Sequence, residues 1–234
     1  MASILSNINT SMSLTFTIIL TAVFLGLALG PDESYGGEDD RERWDKRYDT
    51  YEYIYGKEPL EFLRNSINLL PRGKALVLAM GEGRNAVFLA EQGFDVEGCD
   101  ISPIAIKKAN ILAAERGVRI TALEADLEDY QLEPEKYDLI TCFYYLQRDL
   151  IPQMNAALRP GGMVIMETYT VENLKIGLHG PQKREYLLEE NELLRMFSDI
   201  DMKVIFYREM VINGEKAIAS IIAQKVGHYG KKNP

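Results

Sequence analysis

Short apolar runs along the chain alternate with segments in which apolar residues recur at helical spacing. The apolar runs predict five strands, over Ala75–Ala79 and residues 94–100, 119–126, 137–146 and 163–169. Helices are predicted between them, over Asn85–Gln92, residues 103–116 and Ile151–Leu158. Strands that alternate with helices predict a parallel sheet with right-handed crossovers and a helical layer on each face.

The pattern changes after the fifth strand. A helix is predicted over Tyr186–Phe197, and two apolar strands then flank Asn213 and Gly214, a residue pair typical of tight hairpins. The sheet is therefore expected to end in antiparallel strands. The predicted fold class is α/β: a Rossmann-like, doubly wound sheet, mostly parallel, with a C-terminal antiparallel hairpin.

The N-terminal segment has a different character. Residues 1–30 carry no charged side chain, and residues 14–29 are almost wholly apolar. They predict either a cleaved signal or an uncleaved membrane anchor, although they lack a positive start and are short for a span of about 20 residues. The basic residues that follow are Arg41, Arg43, Lys46 and Arg47, and the positive-inside rule then places the domain in the cytoplasm. Residues 31–40 are predicted to be a polar linker, residues 41–226 the domain and residues 227–234 a tail.

Composition narrows the function classes. The chain has 234 residues, of which 47% are hydrophobic, and its net charge of -9 argues against a nucleic-acid partner, because phosphate binding needs clustered Lys and Arg. The two cysteines, Cys99 and Cys142, fall inside predicted strands. They provide neither a disulfide framework nor a zinc-binding spacing, so no metal site is predicted. Small buried hydrophobes are favoured over reactive thiols at both positions.

A glycine-rich turn is the clearest candidate site. Residues 75–86 run from the first strand through Gly81 and Gly83 into a helix, as in nucleotide-binding turns. Asp100 ends the second strand, where a carboxylate can accept hydrogen bonds from both ribose hydroxyls. These features suit NAD and S-adenosylmethionine equally. Three others favour S-adenosylmethionine: Asp126 at the end of the third strand, the presence of only one mononucleotide-binding half, and the antiparallel hairpin.

The segment from Ala75 to Asp100, ALVLAMGEGRNAVFLAEQGFDVEGCD, resembles class I S-adenosylmethionine-dependent methyltransferases. The Gly-Arg-Asn after the glycines, the leading WDKRY, FYYLQRDLIP after the fourth strand and RPGGMVIMETYT resemble the tellurite-resistance, TehB-like branch of that class. The resemblance implies that the two glycines lie beside the methionine part of the cofactor and that Asp100 binds the ribose. It also implies that Asp126 and Leu127 surround the adenine and that Phe143 lies at the cofactor's edge.

The predicted cofactor-binding set is Tyr55, Gly81, Glu82, Gly83, Arg84, Asn85, Asp100, Ile101, Asp126, Leu127 and Phe143. Two positions depart from the family pattern. Val77 replaces the usual acidic residue of the first strand, and Ala79 replaces the first glycine. Alanine is small enough to keep the turn, whereas only Glu82 is near enough in sequence to replace the lost carboxylate.

Methyl transfer from a sulfonium is an in-line displacement, so alignment and exclusion of water matter more than a catalytic side chain. Tyr144 and Arg148, which follow the fourth strand, are predicted to position the acceptor. The alternative for Arg148 is a surface pair with Asp149, which would cap the next helix. Tyrosines such as Tyr55 either face the sulfonium or pack the core. His179 is either a base on a loop or a solvated side chain.

The sequence therefore predicts a methyltransferase that uses S-adenosylmethionine and acts on a small soft nucleophile: a thiol, a sulfide or a chalcogen oxyanion such as tellurite or selenite. Oxygen and nitrogen acceptors stay open. An NAD-dependent oxidoreductase and a non-catalytic adenosine-binding module are the alternatives. Because S-adenosylmethionine is made in the cytosol, this cofactor favours a membrane-anchored chain with a cytoplasmic domain over a secreted chain.

Overall fold

A computed structural model of the chain describes residues 38–176, 180–200 and 202–227. The strands of this part of the chain are β1 Lys74–Leu78, β2 Asp95–Asp100, β3 Thr121–Glu124, β4 Tyr137–Phe143, β5 Leu158–Tyr169, β6 Met202–Ile212 and β7 Lys216–Lys225. The helices are α1 Glu38–Tyr48, α2 Glu61–Ser66, α3 Arg84–Glu91, α4 Pro103–Glu115, α5 Leu150–Ala157, α6 Asn173–Ile176 and α7 Glu192–Ser198. Short 3-10 turns lie at Ile67–Leu69 and Arg184–Tyr186.

The strands form one seven-stranded sheet in the order β3-β2-β1-β4-β5-β7-β6. β1 to β5 run parallel to one another, whereas β7 runs antiparallel to both β5 and β6. The predicted fold class is therefore confirmed, including the antiparallel C-terminal pair. The strand order reverses between β1 and β4. The carboxyl ends of β1, β2 and β4 therefore meet at the edge where such sheets bind ligands.

The core consists of two layers because successive strand residues point to opposite faces of the sheet. Leu76 and Leu78 face one layer, which α5 and α7 cover. Ala75 and Val77 face the other layer, to which α2, α3 and α4 contribute. Val77 is thus fully inside an apolar layer, where an acidic side chain would lack water.

Several predicted boundaries differ from the structure. The predicted helix over Tyr186–Phe197 is wrong in its first half, because α7 begins only at Glu192. Leu187 and Leu188 are instead extended and fully buried, and the Leu188 N–H donates to the Tyr169 carbonyl at 3.0 Å. The third and fourth strands are shorter than predicted, and β5 begins earlier, at Leu158.

Some predictions fall on residues outside the described ranges. These are the signal or anchor segment at residues 1–30, most of the linker, nearly all of the tail, and both histidines, His179 and His228. α1 begins at Glu38, inside the stretch predicted to be a linker. Within the described ranges, no helix combines the length and the apolar character needed to cross a bilayer.

Candidate functional site

The loop between β1 and α3 approaches its neighbours so closely that its glycines are required. Gly81 and Gly83 have φ values of 55° and 87°, in the left-handed region that favours glycine. A Cβ on Gly81 would lie 2.9 Å from the Tyr48 hydroxyl, and one on Gly83 would lie 2.5 Å from the Cβ of Ala109 in α4. The loop is therefore held closely against both α1 and α4 at the carboxyl end of β1.

Asp100, the last residue of β2, ties this loop to the next strand. Its Oδ2 accepts a hydrogen bond from the Gly81 N–H at 2.7 Å, and its Oδ1 accepts one from the Ser102 N–H at 3.0 Å. Burial raises the pKa of Asp100 to about 6, and nearby Asp45 adds to the rise. A carboxylate has about four lone-pair positions, so Asp100 keeps acceptor capacity for a ligand hydroxyl.

The third strand brings the other predicted adenosine contacts to the same edge. The Ala125 N–H donates to the Asp100 carbonyl at 2.9 Å, which places Asp126 and Leu127 directly beside the end of β2. The Asp126 carboxylate accepts from the Glu128 N–H at 3.0 Å, and Leu127 is buried. Ile101 is half-buried next to them. The structure thus assembles the residues predicted for ribose and adenine.

Helix α1 covers this edge, and it supplies site residues that the sequence analysis missed. The Ser102 hydroxyl donates to the Asp45 carboxylate, and the Ile104 N–H donates to it at 3.4 Å. Tyr48, one turn later, is buried against the glycine loop, and its pKa is raised by burial and then by Asp100. Trp44 stacks on Tyr48, four residues away on the same helical face, with ring centroids 5.5 Å apart. The spacing of Trp44 and Tyr48, four residues apart before the first strand, was the signal in the sequence that could have indicated these residues.

A buried ion pair fixes the segment after α1. The Glu82 carboxylate lies 2.5 Å from the Lys108 ammonium, and the Tyr55 N–H donates to it at 3.4 Å. Lys108 also donates to the carbonyls of Tyr48, Thr50 and Glu52, at the end of α1 and just after it. Glu82 is 4% exposed, so its carboxylate is committed to this contact. The pair therefore anchors residues 48–55 over the glycine loop.

Arg84 and Asn85, at the start of α3, also contact the segment after α1. The Arg84 guanidinium donates to the Tyr55 carbonyl at 2.6 Å and lies 5.7 Å from the centre of the Tyr55 ring. The Asn85 amide oxygen accepts from the Leu60 N–H at 3.0 Å. Burial lowers the pKa of Arg84, and Tyr144 lies within its electrostatic range. Arg84 thus connects the glycine loop with Tyr55.

Tyr144 follows Phe143 at the end of β4. In the strand order, β4 lies on the opposite side of β1 from β2 and β3, which carry the predicted adenosine contacts. Its hydroxyl donates to a Glu167 carboxylate oxygen at 2.9 Å and accepts from the Lys216 ammonium at 2.7 Å. Burial and the Glu167 charge raise the pKa of Tyr144 well above its usual range. Phe143 is buried. The hydroxyl of Tyr144 is therefore protonated and rigidly oriented.

Arg148 is engaged with the segment before α7. Its Nε and Nη2 donate to the Glu192 carboxylate at 2.6 Å and 3.1 Å, and its guanidinium also donates to the carbonyls of Glu185 and Leu187. Asp149 makes no side-chain capping bond to α5. These contacts are those of a residue that fixes the loop, and the role of Arg148 in positioning an acceptor stays a prediction.

The two cysteines are fully buried and free. Burial raises the pKa of the Cys142 thiol to about 12, and burial with the neighbouring Asp100 raises that of Cys99 further. Both thiols are therefore protonated core residues, as predicted, and neither is a nucleophile.

Comparison with known proteins agrees with this architecture. Residues 75–162 match the family described as methyltransferase domain. The chain is 24% identical over 193 residues to the ubiquinone biosynthesis O-methyltransferase of Vibrio vulnificus, a match that covers 74% of this chain and 82% of that protein.

Solved structures share the fold. TehB from Haemophilus influenzae superposes with a TM-score of 0.60 at 21% identity, covering 79% of this chain and 66% of that one. Magnesium protoporphyrin IX methyltransferase from Synechocystis, solved with bound SAH, superposes with a TM-score of 0.59 at 17% identity, covering 79% of this chain and 97% of that one. Both share the arrangement of class I methyltransferases.

Proposed function

We propose that this S-adenosylmethionine-dependent methyltransferase transfers its methyl group to a small soft nucleophile: a thiol, a sulfide or a chalcogen oxyanion. The observation that carries the proposal is the 2.7 Å hydrogen bond from the Gly81 N–H to the Asp100 carboxylate, which joins the glycine loop to the end of β2 at the edge where β4 also ends. Gly81 and Asp100 would hold a methyl donor, and Tyr144, which follows β4, would then contact the acceptor. The chemistry is then an in-line displacement whose main demand is alignment.

The residues at this edge fit the cofactor. Asp100 keeps an acceptor position for a ribose hydroxyl, and Asp126 and Leu127, which follow β3 at the same edge, are the proposed adenine contacts. Tyr48 and Tyr55 provide aromatic faces beside the glycine loop, which suit a sulfonium cation. When bound, S-adenosylmethionine supplies an electrophilic methyl group on sulfur. The protein's part is to hold that group and to exclude water.

The acceptor side favours a nucleophile that needs no direct contact with a carboxylate base. Glu167 is 3% exposed, and its two oxygens accept from the hydroxyls of Tyr144 and Ser220, so it offers no free carboxylate to an acceptor. Thiols and their heavier analogues ionise near neutral pH, so they meet this condition. The resemblance to the TehB-like branch supports the same class of acceptor.

A phenolic oxygen is the second candidate acceptor. The similarity to ubiquinone biosynthesis O-methyltransferases, which covers 82% of the relative's length, favours it. A phenol is a weaker acid than a thiol and would need removal of a proton within the site. The two candidates are therefore separable by the acceptors that the protein methylates.

The test is a methyl-transfer screen on the purified chain with labelled S-adenosylmethionine. Acceptors are alkyl thiols, hydrogen sulfide, selenite, tellurite and a catechol. We expect product from at least one of the first four, and faster turnover of it than of the catechol. Methylation of the catechol alone would replace the soft acceptor with a phenol. Failure of S-adenosylmethionine and its demethylated product to bind at millimolar concentration would overturn the enzyme assignment and favour a binding module for another ligand.

A matched pair of glycine variants tests the proposed cofactor loop. Gly83 and Gly117 have similar φ values of 87° and 69°, but only Gly83 would bring a Cβ into contact with α4. Gly83→Ala is expected to abolish S-adenosylmethionine binding in calorimetry, whereas Gly117→Ala keeps it. Equal binding by both variants would place the cofactor elsewhere.

A further inference from the structure

Tyr144 has a backbone conformation that needs a reason. Its φ is 58°, in the left-handed region that non-glycine residues rarely adopt. Such a conformation persists only where surrounding contacts determine it, and these outliers cluster at functional sites. The Tyr144 N–H donates to the Glu167 carbonyl at 2.8 Å, and its ring lies 5.1 Å from that of Tyr169. The residue is therefore fixed from both its backbone and its side chain.

The bonds of the Tyr144 hydroxyl set what it can still do. Its hydrogen is donated to Glu167, and one lone pair accepts from Lys216. A phenolic oxygen has two lone pairs, so one remains. This remaining lone pair can only accept a hydrogen bond. It therefore suits a methyl acceptor that still carries its proton.

Glu167 is a buried residue of β5, and its carboxylate contacts Tyr144 as well as side chains of β6 and β7. Its second oxygen accepts from the Ser220 hydroxyl at 2.7 Å and lies 3.8 Å from the Arg208 guanidinium. The charged or titratable groups that face the Tyr144–Glu167 pair are Lys216, Arg208, Arg84 and Tyr169. Three of these four are cations, and Glu167 is the carboxylate among them. Glu167 is thus connected to the end of β4 through the Tyr144 hydroxyl.

We infer that Tyr144 accepts the proton of an acceptor that arrives protonated while it passes its own proton to Glu167, and that Lys216 holds Tyr144 in place for this relay. The inference rests on the proposed function. As the bond between the methyl group and the cofactor's sulfur breaks and the bond to the acceptor forms, the acceptor's proton moves to the Tyr144 oxygen. The original Tyr144 proton moves to the Glu167 carboxylate. The products are the methylated acceptor, S-adenosylhomocysteine and neutral Glu167.

The electrostatics of Tyr144 agree with a relay and disagree with a simple base. Its pKa is raised, so a tyrosinate is not available to take a proton at neutral pH. A hydroxyl that gives up one proton as it gains another never carries a full charge. Glu167 is the end of the relay, and Lys216 is a positioning residue.

The test compares two thiols in the same variant protein. Mercaptoethanol is mostly protonated at neutral pH, whereas para-nitrothiophenol is already a thiolate and needs no relay. In Tyr144→Phe and Glu167→Gln, methylation of mercaptoethanol should fall about 100-fold, with para-nitrothiophenol within a few-fold of wild type. The ratio of the two rates cancels any loss of folded enzyme, and calorimetry with S-adenosylmethionine checks the cofactor site.

Matched controls exist on β6. The Tyr207 hydroxyl also donates to a carboxylate, that of Glu209. Tyr207→Phe and Glu209→Gln should leave the ratio of the two thiol rates unchanged. Equal losses for both thiols in the Tyr144 and Glu167 variants, or no loss, would overturn the relay. A wild-type protein that methylates neither thiol would overturn the relay, whereas the proposed function falls only if hydrogen sulfide, selenite and tellurite also give no product.

Lys216 is tested by rescue. Lys216→Met should lower the rate with mercaptoethanol selectively, and Lys216→Arg should restore most of it because the guanidinium can still donate to Tyr144. Lys203→Met, an exposed lysine on β6, is the control. Raising the pH should also rescue the mercaptoethanol rate of Glu167→Gln, as more of that thiol ionises in solution. Absence of both rescues would contradict the assigned roles.

Discussion

Asp100 combines two opposing effects in one residue. Its pKa, raised by burial from 3.8 to about 6, means that the ionised carboxylate destabilises the unliganded fold at neutral pH. This cost decreases as the pH falls below about 6 and is lost near 3.8, because between these values the folded state binds the proton that the unfolded state has not yet bound. The ionised form is nevertheless the better hydrogen-bond acceptor for a ribose. Stability and cofactor binding therefore depend on pH with opposite signs.

We predict that the affinity for S-adenosylmethionine falls about tenfold per pH unit below about 6, as Asp100 gains its proton. Calorimetric titrations between pH 5 and 8 would measure this slope. In Asp100→Asn the affinity should be lower and nearly independent of pH over that range. Asp95→Asn, at the exposed start of the same strand, should keep the wild-type slope. A wild-type affinity that is constant from pH 5 to 8 would contradict the role of Asp100.

Ala79 is strained where the family pattern has a glycine. Its φ is 47°, which costs an alanine about 1 kcal/mol or more. Ala79→Gly should relieve this strain at some cost in chain entropy, for a net gain of about 0.5 kcal/mol in the free energy of unfolding. Ala90→Gly, inside α3, should instead lose about 1 kcal/mol. Urea denaturation measures both, and a destabilised Ala79→Gly would show that its φ is not strained.

The residues of the site differ in whether the sequence around them indicates their role. The glycines and Asp100 are predictable because a tight turn after a strand needs glycine, and because the resemblance to methyltransferases implies a carboxylate at the end of the second strand. Glu167 and Lys216 carry no such signal. They meet Tyr144 only because β7 runs antiparallel to β5 and starts at the edge where β5 ends. Tyr48 is similar, since only the docking of α1 brings it to Gly81.

At the scale of elements, sequence periodicity predicted the strands and crossover helices well because each buries a regular face. The predicted helix over Tyr186–Phe197 failed for the opposite reason. Leu187 and Leu188 read as one side of a helix, but the end of β5 offers the unpaired Tyr169 carbonyl, and pairing with it extends the chain. A tertiary hydrogen bond of this kind does not change the hydrophobic periodicity of the sequence, so periodicity does not predict it.

The lead-in segment between α1 and α2 depends on one buried ion pair. The side chains of Lys108 and Glu82 are 11% and 3% exposed, so Lys108→Met would leave a buried carboxylate without its cation. We predict a loss of about 3 to 5 kcal/mol in the free energy of unfolding, faster proteolysis of residues 48–60 and weaker cofactor binding. The Glu82→Gln, Lys108→Met double variant should recover part of the stability, because no unpaired charge remains. Lys107→Met, on the same helix, is the control, and an equal loss there would contradict the ion-pair argument.

The whole chain joins an acidic domain to an apolar N-terminal segment, and the proposed function makes a demand on their arrangement. A methyltransferase must meet S-adenosylmethionine, which is made in the cytosol, so we predict that residues 1–30 anchor the chain with its domain on the cytoplasmic side. A C-terminally tagged full chain should sediment with membranes, resist extraction by salt, dissolve in detergent and be protected from protease added to intact cells. A chain lacking residues 1–30 should be soluble with unchanged methyl transfer. Recovery of a shortened, soluble form outside the cytoplasm would show a cleaved signal instead, and the enzyme would then need a source of its methyl donor beyond the cytosol.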